Sequence, residues 1–273
     1  MAGGREDSKT RVPILYQNDD IIVVNKPSGV SVTRDRTGAA ELADILSEQL
    51  GRQLRSELRL VHRLDKATSG VMILAKNIEA QTQFTGYFRN KLVKKTYLTL
   101  VFGVVPSKQG RVDAPIIQRD KKAGLMCIAH KKGKESLTHW KLLADFGTVS
   151  LLSVSPITGR THQIRVHLPH VGLPLAIDPL YGSSRPLYLS DFKADYRLAR
   201  DQTEKPLIER LTLHAYQIQL LKPEKDFPEV FTAGLDKKFA ATLKMLTKYN
   251  PRGLDAFTNP DDFTSILNNQ RLS

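Results

Sequence analysis

His62-Arg63-Leu64-Asp65-Lys66-Ala67-Thr68-Ser69-Gly70-Val71-Met72-Ile73-Leu74-Ala75 passes from a charged turn straight into an unbroken apolar run. Five consecutive apolar residues from Val71 to Ala75 are what a strand buried on both faces requires, so the turn that carries Asp65 feeds into the interior of a sheet. Asp65 lies among the cations Arg63 and Lys66, and Gly70 ends the turn. A carboxylate meant to react must stay ionised when water is excluded; burial raises its pKa, and a nearby guanidinium offsets that. Read alone, the segment fits a salt-bridged surface turn as well as a catalytic one, because local ion pairs are common and weak.

Upstream, Ile14 to Tyr16, the polar Asn18-Asp19-Asp20 and Ile21 to Val24 read as a hairpin that closes on Lys26-Pro27-Ser28-Gly29. From Thr37 to Gly51 the spacing of Ala39, Leu42, Ala43, Leu46 and Leu50 predicts an amphipathic helix, with Thr37 as its N-cap and Gly51 as its stop. Ala80, Phe84, Tyr87 and Phe88 predict a second helix, and Lys91, Lys94 and Lys95 follow where cations suit its dipole. Lys95 to Val105 alternates, which puts Tyr97 on the face opposite Leu98 and Leu100. Further strands are predicted at Leu125 to His130, Leu137 to Leu143, Thr148 to Val154 and Leu211 to Leu220. Many strands and few helices, without regular alternation, indicate an α+β fold. Residues 1–10 read as a flexible leader and 11–250 as the main domain, with Ser183 to Arg210 as an inserted surface element and 251–273 as a loosely held tail.

The chain has 273 residues, 41% of them hydrophobic, enough for a substantial core. Lys and Arg number 41 against 28 Asp and Glu, a formal charge of +13, and a field of that sign draws in polyanions, with nucleic acid foremost. Cys127 is the only cysteine, which excludes an intrachain disulfide and any zinc site built on a Cys pair. Neither a signal-length apolar run at the start nor a membrane-length run later is present, so a cytoplasmic protein without a membrane partner is expected.

A second constellation is Gly159-Arg160-Thr161-His162-Gln163-Ile164-Arg165-Val166-His167-Leu168. Thr161 is placed to cap a helix whose Ile164, Leu168 and Val171 face the core, with Gly172 at its end; Pro169 should shorten it to little more than two turns. Arg165 would then leave a rigid support. His162 and His167 lie five apart on different faces of such a helix, with no acidic residue between them, so no metal is expected. The Cys-x-x-Cys and His-x-Glu of a zinc base deaminase are missing, as are phosphate-loop and dinucleotide fingerprints, so neither a nucleotide cofactor nor any other is implied. Arg119, Lys121, Lys122, Lys131, Lys132 and Lys134 flank the Leu125 to His130 strand and suit a hairpin that grips phosphates; the competing reading is a solvated face.

These motifs, in order, resemble those of RluA-type RNA pseudouridine synthases: His-Arg-Leu-Asp-x-x-Thr-Ser-Gly at 62–70, Lys-Lys-x-Tyr at 94–97, Gly-Arg-Thr-His-Gln-Ile-Arg-Val-His at 159–167, Asp-x-x-Tyr-Gly at 178–182 and Leu-His-Ala at 213–215. Asn-Lys-Pro-Ser-Gly at 25–29 is similar too. The resemblance implies a mixed, largely antiparallel sheet with flanking helices and a basic cleft, which isomerises uridine in a tRNA or rRNA stem-loop without cofactor or metal. Asp65 would be the catalytic aspartate, Tyr97 the active-site tyrosine and Arg165 the arginine paired with Asp65. Asp65 can add to the sugar or the base, or remove a sugar proton. Tyr97 offers a flat face for uracil and an oxygen near carbon 5. Arg63 would fill the stack vacated by the flipped nucleotide, with His62 orienting the turn, and His62, Arg160 and His162 complete the expected RNA-binding set with the hairpin lysines.

The chain departs from the family pattern in three places. Ile177 stands where relatives usually have Gly before the Asp178 equivalent, and Pro179 follows it. The 183–210 insertion is longer than usual, and the N-terminal RNA-binding module of many relatives does not precede the domain, as in compact members that act on short stem-loops; a monomer is expected. Two rivals are an RNA-binding assembly or chaperone factor that has lost turnover, and hydrolysis of a nucleoside bond, which would release free uracil.

Overall fold

The apolar run Val71 to Ala75 belongs to a strand, Ser69–Ala75, in which every residue is buried. The computed structural model describes residues 11–34, 39–120, 124–129, 131–193, 195–198, 202–223 and 227–268. In chain order the elements are β1 (Ile14–Gln17), β2 (Ile21–Lys26), α1 (Leu42–Leu50), α2 (Leu54–Glu57), β3 (Arg59–Leu60), β4 (Ser69–Ala75), α3 (Ile78–Arg89), β5 (Val93–Phe102), β6 (Gln109–Asp113), β7 (Ile116–Asp120), β8 (Leu125–Ile128), β9 (Leu137–Asp145), β10 (Val149–Pro156), α4 (Gln163–His170), β11 (Leu213–Leu220), β12 (Val230–Thr232), α5 (Lys237–Tyr249) and α6 (Pro260–Asn268). The main sheet runs β1-β2-β4-β11-β5-β10-β9-β6, with β3 on β4 and β12 on β11, while β7 and β8 form a separate hairpin. β4 and β11 pair in parallel and the other strand pairs are antiparallel, which is the mixed, largely antiparallel α+β sheet expected. Among the described residues no helix is long and apolar enough to cross a membrane.

At the centre of this sheet one rung joins three strands: Gly70 of β4 lies opposite Ala215 of β11, and Ala215 lies opposite Tyr97 of β5. Gly70 has φ +118°, and a Cβ there would sit 2.1 Å from the Ala215 carbonyl oxygen, so the approach of β4 to β11 excludes any side chain. Beside it, Ser69 Oγ and His214 Nδ1 are 2.9 Å apart and His214 Nε2 is 3.0 Å from the Ala233 carbonyl. Burial lowers the His214 pKa to about 4, so the ring bridges the strands in its neutral form.

The alternation along β5 divides the core. Leu98 and Leu100 pack with Phe239, Leu243 and Leu246 of α5, while Val101 packs with Ile164 and Leu168 of α4 on the other side. Tyr97 faces that second side, where the Asp65 turn lies, as the alternation predicts.

Several local expectations are corrected. The predicted cap Thr37 lies outside the described residues; α1 begins at Leu42, where Asp44 Oδ2 accepts the Glu41 N–H at 3.1 Å. His162, not Thr161, caps α4, and Val171 is 39% exposed rather than core-facing. Pro169 sits in the last turn of this eight-residue helix, so its missing N–H shortens the helix as expected. The segment expected as a loose tail instead contains α6, and Ala256, Phe257 and Ile266 are buried against the α5 side of the core. Leu187 and Ile208 pair and join the same cluster, so the 183–210 segment is anchored at both ends.

Gly70→Ala should lower the unfolding free energy by about 3 kcal/mol or more, because backbone rather than a flexible side chain blocks the new methyl group. A urea titration that gave the wild-type midpoint would show that β4 and β11 can part without cost.

Candidate active site

Asp65 follows β3 and precedes β4, in a turn held by backbone contacts from below. Lys26 is fully buried and donates from Nζ to the carbonyls of Pro27 at 3.0 Å, Val30 at 2.9 Å and Lys66 at 3.1 Å. Gly29 N–H also reaches the Lys66 carbonyl, at 2.8 Å, and Ser28 Oγ donates to the Ala67 carbonyl at 2.6 Å. The Asn25 to Gly29 segment thus serves as the floor of the catalytic turn. Burial draws the Lys26 pKa down to about 7 against the opposing pull of Asp65.

His62 stands at the other end of the turn. Its Nε2 accepts the Ile73 N–H at 3.0 Å and its ring stacks on Phe88 with centroids 4.3 Å apart, which suits the orienting role read for it. Burial, followed by the charge of Lys95, lowers its pKa to about 3. Arg63 is exposed on the wall of the pocket.

The turn opens onto a pocket of about 520 Å³ lined by Asp65, Tyr97, Arg165, His162, Lys95 and Arg63, among others. This is the size of a small-ligand site. The structure therefore brings the three predicted catalytic side chains to one cavity. Arg165 is 3% exposed and its Nη1 is 3.6 Å from Asp65 Oδ2. Its hydrogen bonds go elsewhere, however: Nε and Nη2 donate to the two carboxylate oxygens of Asp178 at 2.8 and 2.7 Å. The expected pairing of Arg165 with Asp65 is thus an ion pair of longer reach, and Asp178 is the bidentate partner. Burial works against the Arg165 charge, but the hydrogen bonds and charge of Asp178, with the charge of Asp65, outweigh it and raise the guanidinium pKa. Ile177 and Pro179 flank Asp178 in this chain. Ile177 is fully buried, and Asp178 Oδ1 also accepts the Leu180 and Tyr181 N–H groups at 3.0 and 3.3 Å.

Tyr97 is held above its ordinary pKa by burial and then by the charge of Asp65, so it remains a phenol at neutral pH. In that form it can stack and donate a hydrogen bond. Lys95 lies two residues earlier on the same face of β5 and donates to the Thr158 carbonyl at 3.1 Å; burial lowers its pKa to about 8. His162 has its Nε2 3.8 Å from Asp65 Oδ2. The loop before α4 is shaped by buried Gln163, whose Oε1 accepts Thr158 Oγ1 at 2.7 Å and the Arg160 N–H at 2.9 Å. Arg160 lines the pocket and donates through Nε to the Glu135 carbonyl. His167 faces away: its nitrogens lie 2.9 Å from Thr138 Oγ1 and 2.9 Å from the Ala114 carbonyl.

The β7–β8 hairpin exists as expected, with Arg119, Lys131, Lys132 and Lys134 exposed around it; Lys121 and Lys122 lie outside the described residues. Its Met126 N–H donates to the Tyr181 hydroxyl at 2.9 Å, which ties the hairpin to the turn carrying Asp178.

A family described as RNA pseudouridylate synthase matches residues 20–170, which contain Asp65, Tyr97 and Arg165. The chain belongs to that family. It is an isomerase that forms pseudouridine in RNA, of the RluA type. It is 36% identical over 235 residues to ribosomal large subunit pseudouridine synthase C of Buchnera aphidicola subsp. Baizongia pistaciae, covering 85% of this chain and 70% of that protein. To ribosomal large subunit pseudouridine synthase D of Nitrosomonas europaea it is 36% identical, covering 85% of this chain and 64% of the other. The structure of human RNA pseudouridylate synthase domain containing 4 superposes with a TM-score of 0.65 at 26% identity, over 86% of this chain and 92% of that one.

Asp178, Tyr181, Lys26 and Lys95 were not assigned to the site from sequence. All four lie in motifs whose spacing is visible, but nothing in spacing reveals which side chain turns inward. Stability should respond to the two histidines that support this region. The folded state holds His214 and His62 neutral, with pKa values lowered to about 4 and about 3, whereas both take up protons near 6.5 when unfolded. The unfolded chain binds more protons between these limits. Unfolding free energy should therefore be fully retained above pH 6.5 and fall as pH drops toward 4. Denaturation series at pH 7, 5.5 and 4.5 would test this, and a flat response would mean the rings are accessible to protons in the folded protein.

Proposed function

We propose that the enzyme acts on a flipped uridine in ribosomal RNA, with Asp65 as the reacting group. The carrying observation is that the Asp65 carboxylate faces the pocket and accepts no hydrogen bond among the described residues, while Arg165 at 3.6 Å and His162 at 3.8 Å supply positive and polar support. Among the described residues nothing occupies its lone pairs, and the carboxylate is placed for attack on the ribose, attack on the base or removal of a sugar proton.

Tyr97 supports the detached uracil with its ring. Tyr97 relays the proton leaving carbon 5, taking it up at its oxygen as it passes its own hydroxyl proton to solvent water. Arg63, exposed at the mouth, suits the gap left by a flipped nucleotide, whose extrusion costs a few kcal/mol from a paired segment. The basic hairpin grips phosphates and contributes affinity without sequence discrimination. Ribosomal RNA as substrate rests on the names of the relatives at 36% identity. A cytoplasmic location and a monomeric state belong to the same reading.

Pseudouridine maps of total RNA from parent, deletion and Asp65→Asn strains test the function. The same ribosomal position should lose its pseudouridine in both altered strains, with no free uracil from purified protein and RNA. Retention of every site in the Asp65→Asn strain would sink the assignment of Asp65. Reversal of charge at Lys131 and Lys132 should weaken RNA binding several-fold at low salt and flatten its salt dependence. An unchanged slope would make the hairpin a solvated face.

A further inference from the structure

The turn at 178–182 and the loop before α4 form a chain of polar contacts that runs from the hairpin to the reacting carboxylate. Tyr181 Oη accepts the Met126 N–H at 2.9 Å and lies 2.7 Å from His162 Nδ1. Burial keeps the Tyr181 phenol above its ordinary pKa, so it has one proton to give. The Met126 N–H occupies one acceptor lobe of the phenol, which leaves the hydroxyl proton available to Nδ1. A neutral imidazole that accepts at Nδ1 carries its proton on Nε2. That Nε2 is 3.8 Å from Asp65 Oδ2, a gap closed to hydrogen-bonding distance by a movement of roughly 1 Å.

The backbone supports this aim. His162 has φ +53°, a left-handed conformation uncommon for residues other than glycine, and it points the ring back from the helix start toward the pocket. Tyr181 meets that ring edge-on with centroids 5.4 Å apart, and the Arg165 guanidinium lies 5.2 Å from the Tyr181 ring centre. The phenol is thus clamped by three partners.

We propose that His162 is a positioning residue that presents Nε2–H to the carboxylate of Asp65, and that Tyr181 enforces this tautomer while linking it to the β7–β8 hairpin. The proposal rests on Asp65 being the reacting group. An uncharged N–H steers one carboxylate oxygen through a weaker hydrogen bond than an imidazolium would make, so the carboxylate keeps more of its reactivity. The groups that face His162 are Asp65 and Arg63 from the catalytic turn, Arg165 from α4, and Asp178 and Tyr181 from the turn beyond it. Burial lowers its pKa, Asp65 raises it and Arg165 lowers it again, with the neutral form favoured overall. Because the first link is Met126, in the strand flanked by Arg119 and Lys131, RNA seated on the hairpin bears directly on this chain of contacts.

Nitrogen-15 NMR of histidine-labelled free protein reads the tautomer without turnover. Wild type should show Nε2–H at His162 and Tyr181→Phe a mixture. With RNA, Tyr181→Phe should lower the single-turnover rate about tenfold at neutral pH, the loss of roughly one hydrogen bond. RNA affinity should stay within twofold. The same variant should move the acid limb of the pH–rate profile upward, since the donor that kept Nδ1 unprotonated is gone. Adding His162→Gln to Tyr181→Phe removes the titrating ring and should return that limb to its wild-type position. An Nδ1–H tautomer in wild type, or an acid limb that Tyr181→Phe leaves in place, would overturn the proposal. Wild-type rates and an Asp65→Asn control on the same RNA test the parent reading separately, and the tautomer measurement stands whatever they show.

Discussion

The buried guanidinium of Arg165 stands between two carboxylates and is hydrogen-bonded to only one of them. Arg165 is nearly inaccessible to solvent, and an unpaired charge at that depth would cost several kcal/mol. Asp178 removes that cost by taking both of its forward hydrogen bonds. One positive charge therefore faces two acids, one bonded and one at 3.6 Å. The bonded acid fixes the geometry, and the distant one keeps its lone pairs. Had Arg165 been bidentate to Asp65, the reacting oxygens would have been occupied. The turn at 178–182, the short helix α4 and the floor around Lys26 all serve to hold this asymmetry.

Much of that arrangement was legible in the sequence. The apolar run after Gly70 marked a buried strand, the alternation in β5 placed Tyr97 on the opposite face from Leu98, and Pro169 announced a helix of about two turns. What escaped was of two kinds. Strand β6 is an edge strand whose mostly exposed polar residues carry no alternation to read. Helix α5, in contrast, had its signal in plain view, with Asp236 capping it and Phe239, Leu243 and Leu246 in helical register. The family motifs end close to it and offered no function for it to serve.

At the site, residue types were easier to read than pairings. The family resemblance implies that Arg165 pairs with Asp65, yet Asp178, only 13 residues beyond Arg165, takes its hydrogen bonds. Capping errors have the same origin. Thr161 is a good cap by type, but the loop before α4 turns through a left-handed His162, and a histidine there is chosen for where its ring goes rather than for helix stability.

The parallel contact between β4 and β11 sets the order in which the protein can assemble. Ser69 and His214 are 145 residues apart, so the catalytic turn emerges from the ribosome long before the strand that supports it. Until β11 is made, the buried edge of β4 has no neighbour on that side, and Gly70 has nothing to approach. Closing so long a loop is slow. Synthesis must pass Ala215 before the Asp65 carboxylate has its seat, so fragments that end earlier, though they contain Asp65, Tyr97 and Arg165, would carry these three side chains without the cavity that brings them together.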